Sequence, residues 1–217
     1  MQPMEGHGQA ILALGGDAPP FSLVSHEFIP GRLVVAVDSG LDLLRSWNLS
    51  PDLIVGDMDS LSDASILDGF PRNAIVQLDR AKDESDTEAA LRVCAERGIV
   101  STVMIGGGGG RLDHLLALRS LFERQRRPQL WYLPHEVVTL VESGQDRFFS
   151  VAPGSLVSVF PLAPGSRLMR SRGLRWPLEG LSWGPGDYGL SNESTDSEVM
   201  VGAGKGDLLV LHPLVEQ

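Results

Sequence analysis

The first 135 residues alternate short apolar runs with segments of helical periodicity, and this alternation restricts the possible folds more than any other feature. The apolar runs are continuous and rich in β-branched residues, as in strands buried on both faces of a parallel sheet. Strands joined by helices need crossover connections, so the pattern predicts a Rossmann-like layered α/β sheet. The predicted strands are Ala10–Leu14, Leu33–Val37, Leu53–Val55, Ala74–Leu78, Val100–Ile105 and Leu130–Leu133.

Three helices are predicted between these strands, and one has clearly marked ends. It begins at Ser85, which can form a capping box with Glu88 three residues later, and it stops before Gly98, a residue type that often terminates helices. The other two helices, one after Asp38 and one from Leu112 to Phe122, are predicted from the spacing of their apolar residues.

The character of the sequence changes near residue 135. Beyond it, Pro and Gly recur every few residues and no helix is predicted. Short apolar runs separated by turn residues are typical of a small β-sandwich. The predicted strands are Val137–Val141, Phe148–Val151, Leu156–Phe160 and Leu208–Leu211. The sequence therefore predicts two domains, an α/β domain over 1–135 and a smaller β-sandwich domain over 136–217.

The charge and the cysteine content exclude several classes of protein. The net charge is −10 and no run of Lys or Arg offsets it, so a nucleic-acid partner is not expected. The single cysteine, Cys94, excludes a disulfide framework and a thiolate zinc site. No apolar run approaches the roughly 18–20 residues of a membrane span, and the N-terminus does not resemble a secretory signal. We expect a cytoplasmic protein without a membrane partner.

Carboxylates follow two of the predicted strands directly. Asp38 comes after Leu33–Val37, and Asp57 and Asp59 come after Leu53–Val55. Ligands of an open parallel sheet bind outside the carboxyl ends of its strands, and two carboxylates two residues apart can converge on one hard cation. Each feature also has a structural interpretation, since Asp caps helices and is common in polar loops.

A third acidic segment lies at the start of the capped helix. It runs from Lys82 to Glu88 and includes Asp83 and Asp86. Acids at a helix N-terminus complement the helix dipole, which is the structural alternative. Four acids in this short segment exceed what a helix cap requires. We therefore expect Asp83 or Asp86 to complete the metal site and Lys82 to meet phosphate.

Five consecutive glycines, Gly106 to Gly110, separate a predicted strand from a helix and precede Arg111. Glycines leave backbone N–H groups uncovered, a helix N-terminus favours anions, and an Arg fork fits phosphate oxygens. The alternative is a flexible loop. The segment matches neither a Walker A loop, because no Gly-Lys-Ser/Thr follows, nor the G-x-G-x-x-G dinucleotide fingerprint.

Taken in order, these segments resemble the thiamine pyrophosphokinase family. The stretches that carry the resemblance are VVAVDSG, PDLIVGDMDSL, KDESDTEAAL and GGRLDH, followed by GLRWPL and LSNE in the second domain. The resemblance implies an α/β domain that binds ATP, a β-sandwich domain, and a homodimer that holds thiamine between its subunits. The implied reaction is Mg²⁺-dependent transfer of the diphosphoryl group of ATP to the thiamine hydroxyl, with AMP as the coproduct.

The resemblance also implies roles for individual residues. An indole face attracts a cation such as the thiazolium ring of thiamine, although Trp176 could instead be a core residue, as Trp183 could be. The implied Mg²⁺ ligands are Asp57, Asp59 and Asp86, with Asp83 and Arg111 as further catalytic residues. The implied ATP-binding residues are Asp38, Gly40, Lys82, Gly109, Gly110 and Asp113, and the implied thiamine-binding residues are Trp176, Ser191 and Asn192.

Two other functions stay open at this point. One is a related pyrophosphokinase that acts on another small heterocyclic alcohol, such as a pterin. The other is a protein that binds a nucleotide or thiamine without catalysis. The complete acidic set argues against the second, and Trp176 with Ser191 and Asn192 argues against the first.

Overall fold

The computed structural model describes residues 8–162 and 165–215. The chain divides into two compact units, of which the first ends at Pro134 and the second begins at His135. The first unit combines helices with parallel strands, and the second consists of antiparallel strands. None of the helices in the described part of the chain is long and apolar enough to cross a membrane.

The first unit contains a parallel sheet built from the predicted strands. Its strands are β1 (Gln9–Leu14), β2 (Leu33–Val37), β3 (Leu53–Gly56), β4 (Ile75–Gln77), β5 (Ser101–Ile105) and β6 (Leu130–Tyr132). Their order across the sheet is β6-β5-β1-β2-β3-β4, and each neighbouring pair is parallel. The predicted boundaries are confirmed to within one residue. Val100, predicted as the first residue of this strand, lies outside β5 and is 84% exposed.

The helices of this unit are α1 (Phe21–Val24), α2 (Gly40–Ser46), α3 (Asp86–Glu96) and α4 (Leu112–Ser120). The predicted capping box of α3 is confirmed, with the Ser85 hydroxyl accepting from the Glu88 N–H and the Glu88 carboxylate accepting from the Ser85 N–H. The short helix α1 was not predicted. The predicted third helix is α4, and it ends at Ser120 because the chain tightens into a 3₁₀ turn at Leu121–Glu123.

The start of α2 lies directly against β1. Leu41 and Leu44 of α2 are fully buried in a core that includes Ala13, Ala36 and Ile54. A Cβ atom at Gly40 would lie 1.9 Å from the carbonyl oxygen of Ala13, so only glycine permits this approach. The contact fixes the loop after β2, which carries Asp38, relative to the centre of the sheet.

The described residues of the second unit form nine strands: β7 (Glu136–Val141), β8 (Asp146–Ser150), β9 (Leu156–Pro161), β10 (Ser166–Arg167), β11 (Arg170–Arg172), β12 (Ser182–Trp183), β13 (Gly189–Glu193), β14 (Glu198–Gly202) and β15 (Leu208–Pro213). β13, β9, β15 and β7 are antiparallel neighbours in that order, as are β11, β14 and β8, and β10 pairs with β12. Side chains of both larger groups of strands share one hydrophobic core.

Four strands of this unit were predicted and five were missed. The predicted strands correspond to β7, β8, β9 and β15, with ends that differ by up to two residues. β10, β11, β12 and β13 are short or polar, so they lack the apolar run that indicates a strand. β14, with the sequence EVMVG, is central and almost wholly buried, and its short apolar run VMV is the signal that indicates a strand.

Gly40→Ala should lower the free energy of unfolding by about 1–3 kcal/mol, because its methyl group would overlap the backbone of β1. Chemical denaturation of the ligand-free protein measures this change. Gly69→Ala is the matched control, since a Cβ atom there would meet nothing within 4 Å, and it should change the value by less than about 0.5 kcal/mol. Equal effects of the two substitutions would contradict the close approach.

Candidate active site

Three carboxylates meet at the carboxyl ends of two neighbouring strands. Asp38 follows β2, and Asp57 and Asp59 follow β3, which pairs in parallel with β2. The Asp38 N–H donates a 2.9 Å hydrogen bond to the carbonyl of Val55 and so joins the two strand ends. One oxygen from each of these carboxylates lies within 4.8 Å of the others. This group, called here the aspartate cluster, is a candidate cation site.

The backbone at the aspartate cluster adopts conformations that side-chain-bearing residues rarely take. Asp38 has φ = 48° and Met58 has φ = 65°. A Cβ atom at Gly56 would lie 3.1 Å from the Cα of Asp38, so a glycine is needed between the two strand ends. Unusual backbone conformations of this kind concentrate at functional sites, where the surrounding structure holds them.

Hydrogen bonds fix the turn that carries Asp57 and Asp59. The Asp59 N–H donates to Asp57 Oδ1 over 3.1 Å, and the Ser60 hydroxyl donates to Asp59 Oδ1 over 3.0 Å. The Gln77 side chain on β4 donates to the Asp57 carbonyl over 2.9 Å. The hydrogen bond from the Asp59 N–H holds the pKa of Asp57 below its ordinary value, so Asp57 is ionised at neutral pH.

Asp38 is held differently, because it is the most enclosed member of the cluster. Burial raises the pKa of Asp38, and the negative charges of Asp86 and Asp57 raise it further, although Ser60 and the Ser39 N–H oppose the shift. Its Oδ1 atom is buried and has no hydrogen-bond partner among the described residues. A buried carboxylate oxygen without a partner is costly, and a cation beside it would remove that cost.

Lys82, in the segment before α3, and Asp86, the first residue of α3, adjoin the cluster. The Lys82 ammonium lies 3.8 Å from Asp57 Oδ2 and 3.2 Å from Asp86 Oδ1. The shorter contact is an ion pair without hydrogen-bond geometry, so Asp86 Oδ1 is also a buried oxygen that lacks a hydrogen bond. Asp83 is exposed to solvent and is not a member of the aspartate cluster.

Backbone hydrogen bonds hold the glycine run against the loop after β1, so the run is not a free flexible loop. Gly108 forms a two-way backbone bridge with Asp17, with N···O distances of 2.8 and 2.9 Å. A Cβ atom at Gly109 would lie 2.1 Å from Asp17 Oδ2, whereas one at Gly110, where φ is 66°, would meet nothing within 4 Å. The Asp17 side chain is exposed and could turn away, so the left-handed backbone of Gly109, with φ = 68°, is the stronger reason for glycine there, and Gly110 leaves open space.

Sequence reasoning missed the partner of this run. The partner is the loop Gly15–Gly16–Asp17 after β1, whose Gly15 carbonyl accepts from the Gly107 N–H over 2.9 Å. A glycine pair followed by an acid at the end of the first predicted strand was the available signal.

Arg111 and Asp113, at the start of α4, pair with each other. Arg111 Nε donates to Asp113 Oδ1 over 3.1 Å, and a second guanidinium nitrogen contacts the other carboxylate oxygen. This pair lowers the pKa of the Asp113 carboxyl. Both side chains are exposed, so the guanidinium is accessible to an anion that competes with Asp113.

The thiamine-site residues predicted in the second unit have different environments. Trp176 is 55% exposed whereas Trp183 is 7% exposed, so Trp183 is the core residue of the two. The guanidinium carbon of Arg175 lies 5.2 Å from the centre of the Trp176 ring, which shows that this indole can accept a cation.

Asn192 holds the backbone of Trp176 on both sides. Its Oδ1 accepts from the Trp176 N–H over 3.1 Å, and its Nδ2 donates to the Trp176 carbonyl over 2.6 Å. Asn192 is buried, and its observed contacts orient Trp176. Ser191 is exposed, has φ = 54°, and donates its N–H to the Ser158 hydroxyl over 3.0 Å.

The fold and the aspartate cluster together define an α/β enzyme domain with a candidate divalent-cation centre at its strand ends. Residues 26–131 match the family model described as "Thiamin pyrophosphokinase, catalytic domain". The matched region contains the aspartate cluster, Lys82, Asp86 and the glycine run. This region, just under half of the chain, is similar to the catalytic domain of the thiamine pyrophosphokinase family.

Solved structures of similar fold carry the same description. A thiamine pyrophosphokinase from Bacillus subtilis superposes with a TM-score of 0.77 at 18% identity and covers 95% of this chain and 99% of its own. One from Geobacillus thermodenitrificans has a TM-score of 0.77 at 23% identity, with 94% and 97% covered. One from Candida albicans has a TM-score of 0.72 at 14% identity, with 97% and 90% covered. These likenesses establish the fold.

The chain also has a short sequence similarity to a curated protein of another kind. A stretch of 72 residues, 33% of the chain, is 33% identical to a 6-hydroxymellein synthase from Talaromyces verruculosus. The chain spans about 2% of the length of that curated relative, so the match does not bear on function.

Asp38→Asn should make the ligand-free protein more stable at neutral pH. Because the folded-state pKa of Asp38 is raised above its ordinary 3.8, the native state binds the proton more tightly than the unfolded state. Stability is therefore lost as the pH rises through the interval between these pKa values, and the loss persists at pH 7. Asparagine removes this loss.

Urea denaturation in divalent-free buffer across a pH series measures the effect of Asp38→Asn. The gain in unfolding free energy should be largest near neutrality and shrink as the pH approaches 3.8, the ordinary pKa of the group. Asp68→Asn, an exposed aspartate on the same stretch after β3, is the control and should show no such gain. A loss of stability in Asp38→Asn at pH 7 would contradict the account.

Proposed function

We propose that the protein is an ATP-dependent thiamine pyrophosphokinase, which transfers the diphosphoryl group of ATP to the hydroxyl of thiamine and releases AMP. The observation that carries the proposal is the aspartate cluster, which lies at the carboxyl ends of β2 and β3 within the part of the chain that matches the catalytic domain. The family match favours thiamine over a pterin as the acceptor. The retained carboxylates favour catalysis over ligand binding alone.

Mg²⁺ fits the donors that the cluster offers. Carboxylate oxygens are its preferred protein ligands, and Asp38 Oδ1 is buried without a hydrogen bond. Asp57 and Asp59, with Asp38, would hold the ion, whereas Asp86, whose Oδ1 pairs with the Lys82 ammonium, stays a prediction as a further ligand. When bound, the ion would neutralise charge on the polyphosphate and orient it. This assignment adds Asp38 to the ligands expected from the sequence.

The surrounding residues would bind and orient the polyphosphate. Phosphoryl-type transfer depends on positioning and on neutralising charge more than on covalent help from the protein. Lys82 carries an ammonium at the edge of the cluster, and Arg111 presents an exposed guanidinium after the glycine run. Both can bind phosphate oxygens, with Gly110 leaving room for close approach. Asp83 stays a prediction as a catalytic residue, and Asp113, Gly40 and Gly109 stay predictions as ATP-site residues.

Thiamine recognition is assigned to the second unit. Trp176 would bind the thiazolium ring through its exposed indole face, and Asn192 would hold that indole in place. Ser191, exposed beside it, would offer its hydroxyl to the aminopyrimidine. Arg175 already lies over the Trp176 ring, which shows the kind of cationic group that this surface accommodates.

The remaining expectations concern assembly, fold and location. We propose a homodimer, which is supported by α4, whose leucines Leu112 and Leu116 are 68% and 60% exposed on a helix without buried residues.

We interpret the first unit as Rossmann-like, because its strand order reverses between β1 and β5. We interpret the second unit as a β-sandwich, because its two larger sheets share one core. A cytoplasmic location stays a prediction.

Incubation with ATP, Mg²⁺ and thiamine should yield AMP and thiamine diphosphate in equal amounts, as measured by liquid chromatography and mass spectrometry. Asp59→Asn should lower kcat at least about 100-fold, because it removes a charge that holds the cation. Asp68→Asn, exposed and outside the cluster, is the matched control and should keep full activity. Formation of ADP in place of AMP would refute diphosphoryl transfer.

Trp176→Ala should raise the KM for thiamine about 2- to 30-fold, because a cation on an indole face is stabilised by about 0.5–2 kcal/mol. The KM for ATP should stay unchanged, and steady-state kinetics with each substrate varied in turn measures both. Phe148→Ala is the control, since Phe148 is another exposed aromatic residue of the second unit, 60% accessible. An unchanged KM for thiamine would reject the assignment of Trp176.

A further inference from the structure

The segment before α3 brings Lys82 to the aspartate cluster, and Arg92 of α3 pairs with Glu84 in this segment. Arg92 Nη2 donates to Glu84 Oε1 over 2.7 Å, and its Nε donates to Glu84 Oε2 over 3.3 Å. A guanidinium that meets both oxygens of a carboxylate fixes its direction as well as its distance. Glu84 lies between Lys82 and Asp86, so this fork holds the middle of the segment.

Arg92 itself is firmly placed. Its neighbours Leu91 and Val93 are buried on α3, which packs against the sheet. On its other side Arg92 Nη1 donates to Glu96 Oε1 over 3.2 Å, one helical turn further along. Arg92 is therefore part of the rigid helix, whereas Ala81, Asp83 and Ser85 of the segment are exposed. Through its contact with Glu84, Arg92 fixes the exposed segment relative to the helix.

The other contacts of the segment are mostly local. Ala81 and Lys82 reach back to Asp79, through the Ala81 N–H and the Lys82 ammonium. Ser85 pairs with Glu88 in the capping box, which fixes the start of α3 but not the residues before it. The Arg92–Glu84 fork is the contact that joins the preceding residues to the second turn of the helix.

We propose that Arg92, acting through Glu84, is a positioning residue that sets Lys82 against the aspartate cluster. The inference rests on the proposed function in that it gives this geometry a role in cation and polyphosphate binding. Arg92 is not a member of the cluster, and its effect is transmitted by the backbone from Glu84 to Lys82.

Electrostatics and positioning predict opposite effects for Arg92→Ala. Removing a positive charge near an acidic site strengthens cation binding if the charge acts only through its field. Removing the fork weakens cation binding if its role is to hold the segment. Glu96→Gln is the matched control, because it breaks the other contact of the same arginine, lowers the negative charge in the same way as Glu84→Gln, and leaves the fork to Glu84 in place.

Two measurements test the proposal on the full chain without nucleotide or thiamine. Hydrogen–deuterium exchange reports the opening of residues 80–86, and calorimetric titration with Mn²⁺ alone reports the cation affinity. Arg92→Ala and Glu84→Gln should each speed exchange in the segment and weaken Mn²⁺ binding by about threefold, the scale of a partly exposed ion pair. Glu96→Gln should leave both unchanged, and Arg92→Lys should restore part of the loss.

Exchange in residues 80–86 that is unaffected by Arg92→Ala, or Mn²⁺ binding that becomes tighter, would overturn the proposal. A melting curve for each variant verifies that it is folded, and Glu84→Gln carries the test if Arg92→Ala is not. A wild-type protein that forms no AMP from ATP and thiamine would refute the proposed function alone, because the exchange measurement does not depend on turnover.

Discussion

Mutual repulsion among the carboxylates at the ends of β2 and β3 is the constraint on which the site depends. Oxygens of Asp38, Asp57 and Asp59 lie within 4.8 Å of one another, and like charges at such a distance oppose ionisation. The pKa values of Asp57 and Asp38 shift in opposite directions. Asp57 is stabilised by an N–H donor, whereas Asp38 is buried and its pKa is raised. A divalent cation between them would relieve this repulsion.

The scaffold holds these groups through backbone contacts that leave little freedom. Gly40 brings the start of α2 onto β1, and Gly56 allows the ends of β2 and β3 to approach. Asp38 and Met58 take left-handed backbone conformations where these elements meet. These two backbone conformations are unfavourable by themselves, and the buried central strands of the core stabilise the fold enough to hold them. Stability and function are therefore opposed at this edge, as is common in enzymes.

Much of this could be predicted from the sequence because its signals are local. Continuous β-branched runs such as Leu33–Val37 gave strand boundaries, and Ser85 with Glu88 gave the start of α3. Parallel pairing then brings Asp38 near Asp57, since adjacent strands end at the same edge. The second unit was less predictable, because strands such as Gly189–Glu193 contain polar residues and a bulge and form through pairing with distant segments.

The finer features of the site depend on three-dimensional contacts that no spacing reveals. The bridge between Asp17 and Gly108 joins loops that are far apart in the sequence. Asn192 looked like a ligand-binding residue, but its amide is engaged by the backbone of Trp176. The fork between Arg92 and Glu84 spans two turns of chain and resembles any surface ion pair until the neighbouring Lys82 and Asp86 are located.

A crystal soaked in Mn²⁺, with anomalous diffraction recorded near the manganese absorption edge, tests the central claim most directly. The account predicts one strong anomalous peak between the carboxylates of Asp38, Asp57 and Asp59, with oxygens near the distance of about 2.0–2.2 Å expected for an ion of this type. A fully soaked crystal in which manganese binds elsewhere, with these three carboxylates uncoordinated, would contradict it.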